Sequence, residues 1–205
     1  MELVSSNCEL EYAGKRGGKP SPKQKDISLR LAELAQQGKR VLRLKGGDPF
    51  IFGRGGEEAV HLFKAGIPFR IIPGITAGIG GTAYAGIPLT HRDINSSVTF
   101  IAGRGSAGEL PERHNWEAIA KGSPVIVMYM ATKYIHEIVG RLLNYGRKPD
   151  EPVAVIAKAS LPEQMVLETR LCECVEEIKK NKIEPPALIV VGEVVSLRSY
   201  MKWMD

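Results

Sequence analysis

The hydrophobic and polar positions along this chain change period several times, and each change marks an element. Residues 9–13 (ELEYA) alternate polar and apolar, the two-residue period of a short strand. A basic, glycine-rich loop follows (GKRGGKPSP). Ser21 then Pro22 reads as a helix start, an N-cap with proline at the first helical position. Ile27, Leu29, Leu31, Leu34 and Ala35 supply that helix with an apolar face up to Gly38. Residues 41–44 read as a short buried strand. After a glycine-rich loop, Glu57 and Glu58 favour a helix N-terminus through the dipole, and that helix runs to about Ala65. Residues 69–73 (FRIIP) read as a third strand. The small-residue run GITAGIGGTAYAG predicts a tightly packed helix from about Thr76.

The first ninety or so residues thus read β-α-β-α-β-α, the order of a parallel sheet with helices on its faces. The polar stretch THRDINSS reads as a linker and sets the expected domains at 1–91 and 92–205. The second half alternates again, with strands at 98–102, 125–130 and 153–157 and helices near 116–120 and 134–143. Residues 165–171 (MVLETRL) form a further strand, 175–180 a short helix and 187–195 (ALIVVGEVV) the last strand. Because QMVLET directly follows LPE, it can pair with its neighbour as a hairpin, which makes the second sheet mixed. The predicted fold class is α/β, with a parallel-sheet N-terminal domain and a mixed-sheet C-terminal domain.

Composition narrows the function. The chain has 205 residues, 43% of them hydrophobic, which is ordinary for a soluble globular protein. No apolar run approaches the roughly 18 residues of a membrane span. The opening MELVSSNCELEY has no basic region followed by an apolar one, as a secretory leader would. Cys8, Cys172 and Cys174 make no disulfide framework, so a cytoplasmic location is expected. Cys172 and Cys174 lack a second pair or a nearby histidine, so no metal site is expected. The formal charge is +5, which suits a small polyanionic substrate or simply a basic surface. Aromatics make up 6% and do not interleave with the scattered basic residues, which argues against nucleic acid.

Ligands of open parallel sheets sit beyond the carboxyl ends of strands. The stretch KGGDP occupies such a place. Gly46 and Gly47 let the backbone approach a ligand with no Cβ in the way. Asp48 can accept hydrogen bonds from hydroxyl or amino groups, and Pro49 stiffens the loop. An ordinary βα turn would use the same residues. The stretch IPGITAG follows the next strand at the same expected edge. GRGSAG (103–108) has the spacing of a dinucleotide-binding loop, but Pro111 and a polar stretch follow where a helix should open. His136 in HEIVG lacks the second histidine of a helical zinc site. His91 and Arg92 sit at the expected domain junction, where clefts form. Lys15, Arg16 and Lys19 lie in a loop at the end of a strand; both basic groups also read as solvated surface.

Taken together, GKR, RLKGGDPFIFGRGGEE, PGITAGIGGTAYAGIPLTHRD, SSVTFIAGR, KGSPVIVMYMAT, LPEQ and PPALIVVGEVV resemble the uroporphyrinogen-III C-methyltransferases, within the tetrapyrrole methylase class. The likeness runs from about Glu9 to Val195. It implies two α/β domains, S-adenosylmethionine in the cleft between them, S-adenosylhomocysteine as product and a homodimer. By resemblance, Gly46, Gly47, Asp48 and Ile51 line the cofactor site. Thr76 and Ala77 match a second cofactor loop, and Met130 matches a backbone contact to the adenosyl part. Ala159 falls where many members have glycine, and Gly192 lies near the adenine. Lys15 matches a lysine proposed as proton donor. Arg16, Arg54, His91 and Arg92 are placed to pair with the eight carboxylates of the substrate.

The implied reaction is attack by a pyrrole carbon on a sulfonium methyl group, twice, giving precorrin-2 for cobalamin or sirohaem synthesis. Alignment of the reactants and positioned acid–base groups would supply the rate. A methylase of a later corrin precursor is the neighbouring alternative. Members of the family begin with a loop of the type G-x-G-P-G-D-P and a strand ending in aspartate, and this chain starts after that point. The expectation is therefore either a fragment or a naturally short protein, with one wall of the cofactor pocket open and turnover weakened.

Overall fold

The computed structural model describes residues 4–14, 24–105 and 108–204. The chain divides into two compact units, Met1–Gly74 and Ile75–Asp205. The boundary expected at 91/92 falls inside the second.

In the first unit two helices are described, α1 (Gln24–Gln36) and α2 (Gly55–Lys64). Helix α1 buries Ser28, Leu31 and Ala32, spaced i, i+3, i+4 on one face. Just past its end stands Gly38, whose φ of 81° is open to glycine at little cost. The Gly38 and Lys39 amides then donate to Ala35 O and Leu34 O, closing a Schellman-type cap. The strands expected at 9–13, 41–44 and 69–73 join no ladder among the described residues, so the parallel sheet of the N-terminal domain is not formed there. A strand needs a hydrogen-bonded partner and a covering layer, and Leu42, Leu44 and Ile72 stand 80, 73 and 72% exposed. Residues 9–13 are tied by side chains instead, Glu9 to Lys39 and Glu11 to Arg30.

The second unit is built on one five-stranded sheet. Its strands are β1 (Thr99–Ala102), β2 (Ile126–Tyr129), β3 (Pro152–Ala157), β4 (Met165–Arg170) and β5 (Ala187–Val191). They lie in the order β1-β2-β5-β3-β4. Only β1 and β2 run parallel; β5 enters antiparallel between β2 and β3, and β3–β4 is the predicted hairpin. The mixed sheet expected of the second half is therefore present.

β2, β3 and β5 read as continuous apolar runs because both faces of the sheet are covered. Ile126, Met128, Val153, Val155, Ile189 and Val191 share one core. It is closed by helices α4 (Trp116–Gly122), α5 (Ile135–Asn144) and α6 (Cys174–Lys180). Val127, Tyr129, Ala154, Ile156, Leu188 and Val190 share the other. Helix α3 (Ala77–Tyr84) approaches that face closely, since a Cβ at Gly81 would stand 3.0 Å from Leu188. The last strand stops at Val191, earlier than expected, because Gly192 turns at φ 143° into a 3₁₀ turn, Glu193–Leu197. A short helix, α7 (Arg198–Met201), follows. Residues 90–97, read as a linker, form a tight turn in which the Asn95 side chain donates to Leu89 O and Ser97 O.

Candidate functional site

In the first unit the glycine-rich loop between Lys45 and α2 is drawn together by Asp48. Its Oδ1 accepts from the Phe50 amide at 2.7 Å and its Oδ2 from the Gly74 amide at 3.0 Å. The hydrogen bond from Gly74, then that from Phe50, holds the Asp48 carboxyl below the usual carboxylate range. One side chain thus ties the KGGDP loop to the PG loop. The two backbones touch, since a Cβ at Gly74 would stand 2.4 Å from Gly47 O. Gly47 itself turns at φ 73°. No described atom lies within 4 Å of the place a Gly46 Cβ would occupy, so the backbone is open there. The Gly55 amide donates to Pro49 O at 2.8 Å and closes the loop against the start of α2.

Arg54, with φ 61°, is engaged in a two-pronged pair with Glu57 at 2.8 and 2.7 Å. Ile51, in the same loop, is 38% exposed. Behind the loop the chain buries a carboxylate that sequence reasoning missed. Glu58 is 5% exposed and accepts from Gln24, Arg43 and Lys45. The only signal for it was a pair of basic residues two apart, before the loop, and an acid just after it.

In the second unit Thr76 and Ala77 stand at the start of α3. The Tyr129 hydroxyl meets Thr76 Oγ1 at 2.7 Å and accepts from the Gly78 amide at 2.7 Å. Gly78 has no room for a side chain, because a Cβ would lie 2.3 Å from that oxygen. Tyr129 closes β2, and Met130 follows it at φ 54°, 47% exposed. Ala159 belongs to the same neighbourhood, its Cβ 3.2 Å from the place a Gly81 Cβ would take. Lys158 and Ser160 on either side of it have φ 49° and 66°. Tyr129 was also missed: an apolar run shows that a tyrosine is buried, not what its hydroxyl meets.

Gly192 is not brought to this place. The antiparallel register sets Val191 opposite Ile126, so Gly192 lies beside Pro124 and Pro152, at the far ends of β2 and β3 from Met130 and Ala159. The part of β5 that reaches the Met130 end is Ala187, next to Pro186, whose carbonyl accepts from Lys158. His91 and Arg92 occupy the turn that leads into β1; His91 Nδ1 accepts from the Asp93 amide, and Arg92 is exposed. Lys15 and Arg16, like the Ser21–Pro22 helix start, lie outside the described residues.

Among the described residues no cluster of histidine, cysteine and carboxylate is placed to hold a metal. Burial pushes the Cys174 thiol up to about 12. After the GRGSAG stretch the first described helix begins at Trp116. No described helix is long and apolar enough to cross a membrane.

The chain belongs to the tetrapyrrole (corrin/porphyrin) methylases, whose family model matches residues 6–174. Within that family it is 60% identical over 204 residues to a uroporphyrinogen-III C-methyltransferase of a Sinorhizobium species, covering 100% of this chain and 73% of that protein. It is 46% identical over 206 residues to a siroheme synthase of Acinetobacter baylyi, and spans 44% of that longer protein. Among solved structures it matches the uroporphyrin-III C-methyl transferase of Thermus thermophilus complexed with S-adenyl homocysteine. The TM-score is 0.72 and the identity 36%, with 85% of this chain and 75% of the other covered.

Proposed function

We propose that this chain transfers methyl groups from S-adenosylmethionine to carbon atoms of uroporphyrinogen III, giving precorrin-2 for sirohaem or cobalamin synthesis. The observation that carries the reading is 60% identity to a uroporphyrinogen-III C-methyltransferase over the whole of this chain. The local geometry supports it. In the first unit, the open backbone at Gly46 suits a ligand held by main-chain groups.

Bound S-adenosylmethionine supplies an electrophilic methyl group on a sulfonium. The chain's residues bind, orient and move protons. Gly46, Gly47 and Ile51 are the cofactor-binding residues of the first unit, and Thr76, Ala77, Met130 and Ala159 those of the second. Asp48 acts there by holding the two glycine loops together. Gly192 is left out because it sits at the opposite ends of β2 and β3. Lys15 serves as proton donor, and Arg16, Arg54, His91 and Arg92 receive substrate carboxylates. Arg54 does so as part of its pair with Glu57. The protein acts as a homodimer in the cytoplasm, with no nucleic-acid or membrane partner.

The test is incubation of the protein with labelled S-adenosylmethionine and uroporphyrinogen III, followed by mass analysis. Two added methyl groups are expected. Absence of transfer by a protein that still binds S-adenosylhomocysteine would overturn the catalytic reading.

A further inference from the structure

We infer that the buried Glu58–Lys45 pair positions the cofactor loop, setting the affinity for S-adenosylmethionine without touching it. The inference rests on the functional reading above, in which Gly46 and Gly47 belong to the cofactor site.

Glu58 stands in the first turn of α2, where the helix dipole favours a negative charge. Its side chain is 6% exposed and that of Lys45 12%, so the pair is largely shielded from water. Lys45 Nζ donates to both carboxylate oxygens at 3.0 Å. Gln24 at the start of α1 donates to Oε1 at 2.8 Å, and Arg43 Nε reaches the same oxygen at 3.4 Å. One carboxylate therefore binds three pieces of chain: the start of α1, the segment entering the loop and the helix leaving it.

The placement matters more than the bonds. Lys45 directly precedes Gly46, and Glu58 follows the whole glycine-rich stretch. The pair clasps the loop at its two ends, while Asp48 fixes its middle. A stretch containing Gly46, Gly47, Gly53, Gly55 and Gly56 has much backbone freedom to lose on binding. A loop fixed in advance loses little of it, and the saving appears as affinity. The clasp makes no demand on the transferred methyl group, so it acts on cofactor binding and not on the chemical step.

The test compares wild type with Lys45→Met and Glu58→Gln. Each is measured by calorimetric binding of S-adenosylhomocysteine, by KM for each substrate, by kcat and by thermal melting. Lys45→Met leaves Glu58 with Gln24 and Arg43, so it keeps the fold and carries the test should Glu58→Gln unfold. The expected result for Lys45→Met is a rise of about tenfold in the S-adenosylhomocysteine Kd and in the S-adenosylmethionine KM. Its tetrapyrrole KM is expected unchanged and its kcat within about twofold, the pattern of lost ground-state binding. Rescue by Lys45→Arg is expected to be substantial, since arginine restores the clasp. A folded Lys45→Met that binds S-adenosylhomocysteine as wild type does overturns the inference alone. Wild type that fails to bind S-adenosylhomocysteine overturns the functional reading and this inference with it.

Discussion

Replacing Tyr129 by phenylalanine would take one oxygen from a place where two hydrogen bonds of 2.7 Å meet. Thr76 Oγ1 and the Gly78 amide would both lose their bond to it. Leaving a buried polar group unsatisfied costs about 1–3 kcal/mol. Tyr129→Phe is expected to lower stability by about that amount in urea unfolding, with less than additive loss when Thr76→Val is added. Asp48 gives a prediction in pH. Its carboxyl is held below the ordinary range by the Gly74 and Phe50 amides. A depressed folded value means that the tie is intact above the unfolded value of about 3.9 and is lost as pH falls through the lower, folded one. The Gly74 and Phe50 amide resonances should therefore move together in one step below pH of about 3.9, and Asp48→Asn should abolish that step. Much of this was legible in the sequence, because glycines clustered after an apolar run announce close backbone approach. What Asp48 binds was not, because its second partner lies 26 residues away.

At the scale of elements, the two units show why some strands could be read and others could not. β2, β3 and β5 are apolar throughout, and the sheet buries both faces of each. The exposed edge falls to β4, where Glu168 and Arg170 interrupt the apolar pattern. There, sequence and structure agree because the partners are present. Residues 41–44 and 69–73 carry strand-like sequences too, yet no described strand pairs with them. Periodicity reports a local preference, and a ladder is a relation between two segments. Amides of 41–45 and 68–73 should accordingly exchange with solvent much faster than those of β2 and β5 in a hydrogen-exchange time course. Equal protection would show that those segments are paired in solution.

For the whole molecule, composition marked an ordinary globular protein with a basic balance, and the ordered set of motifs marked the family. Neither held the order of the strands. That order places β5, the last of the described strands, at the centre of the sheet between β2 and β3. During synthesis this strand leaves the ribosome after all the others. Until it does, β1–β2 and β3–β4 are separate two-stranded pairs with apolar faces open to water, a state of marginal stability. The sheet cannot assemble progressively behind the ribosome and closes only when Ala187–Val191 arrives. Every growing chain thus passes through an interval of unfinished structure between the making of β4 and that of β5. Its exposure to chaperones and proteases is set by how quickly β5 follows β4.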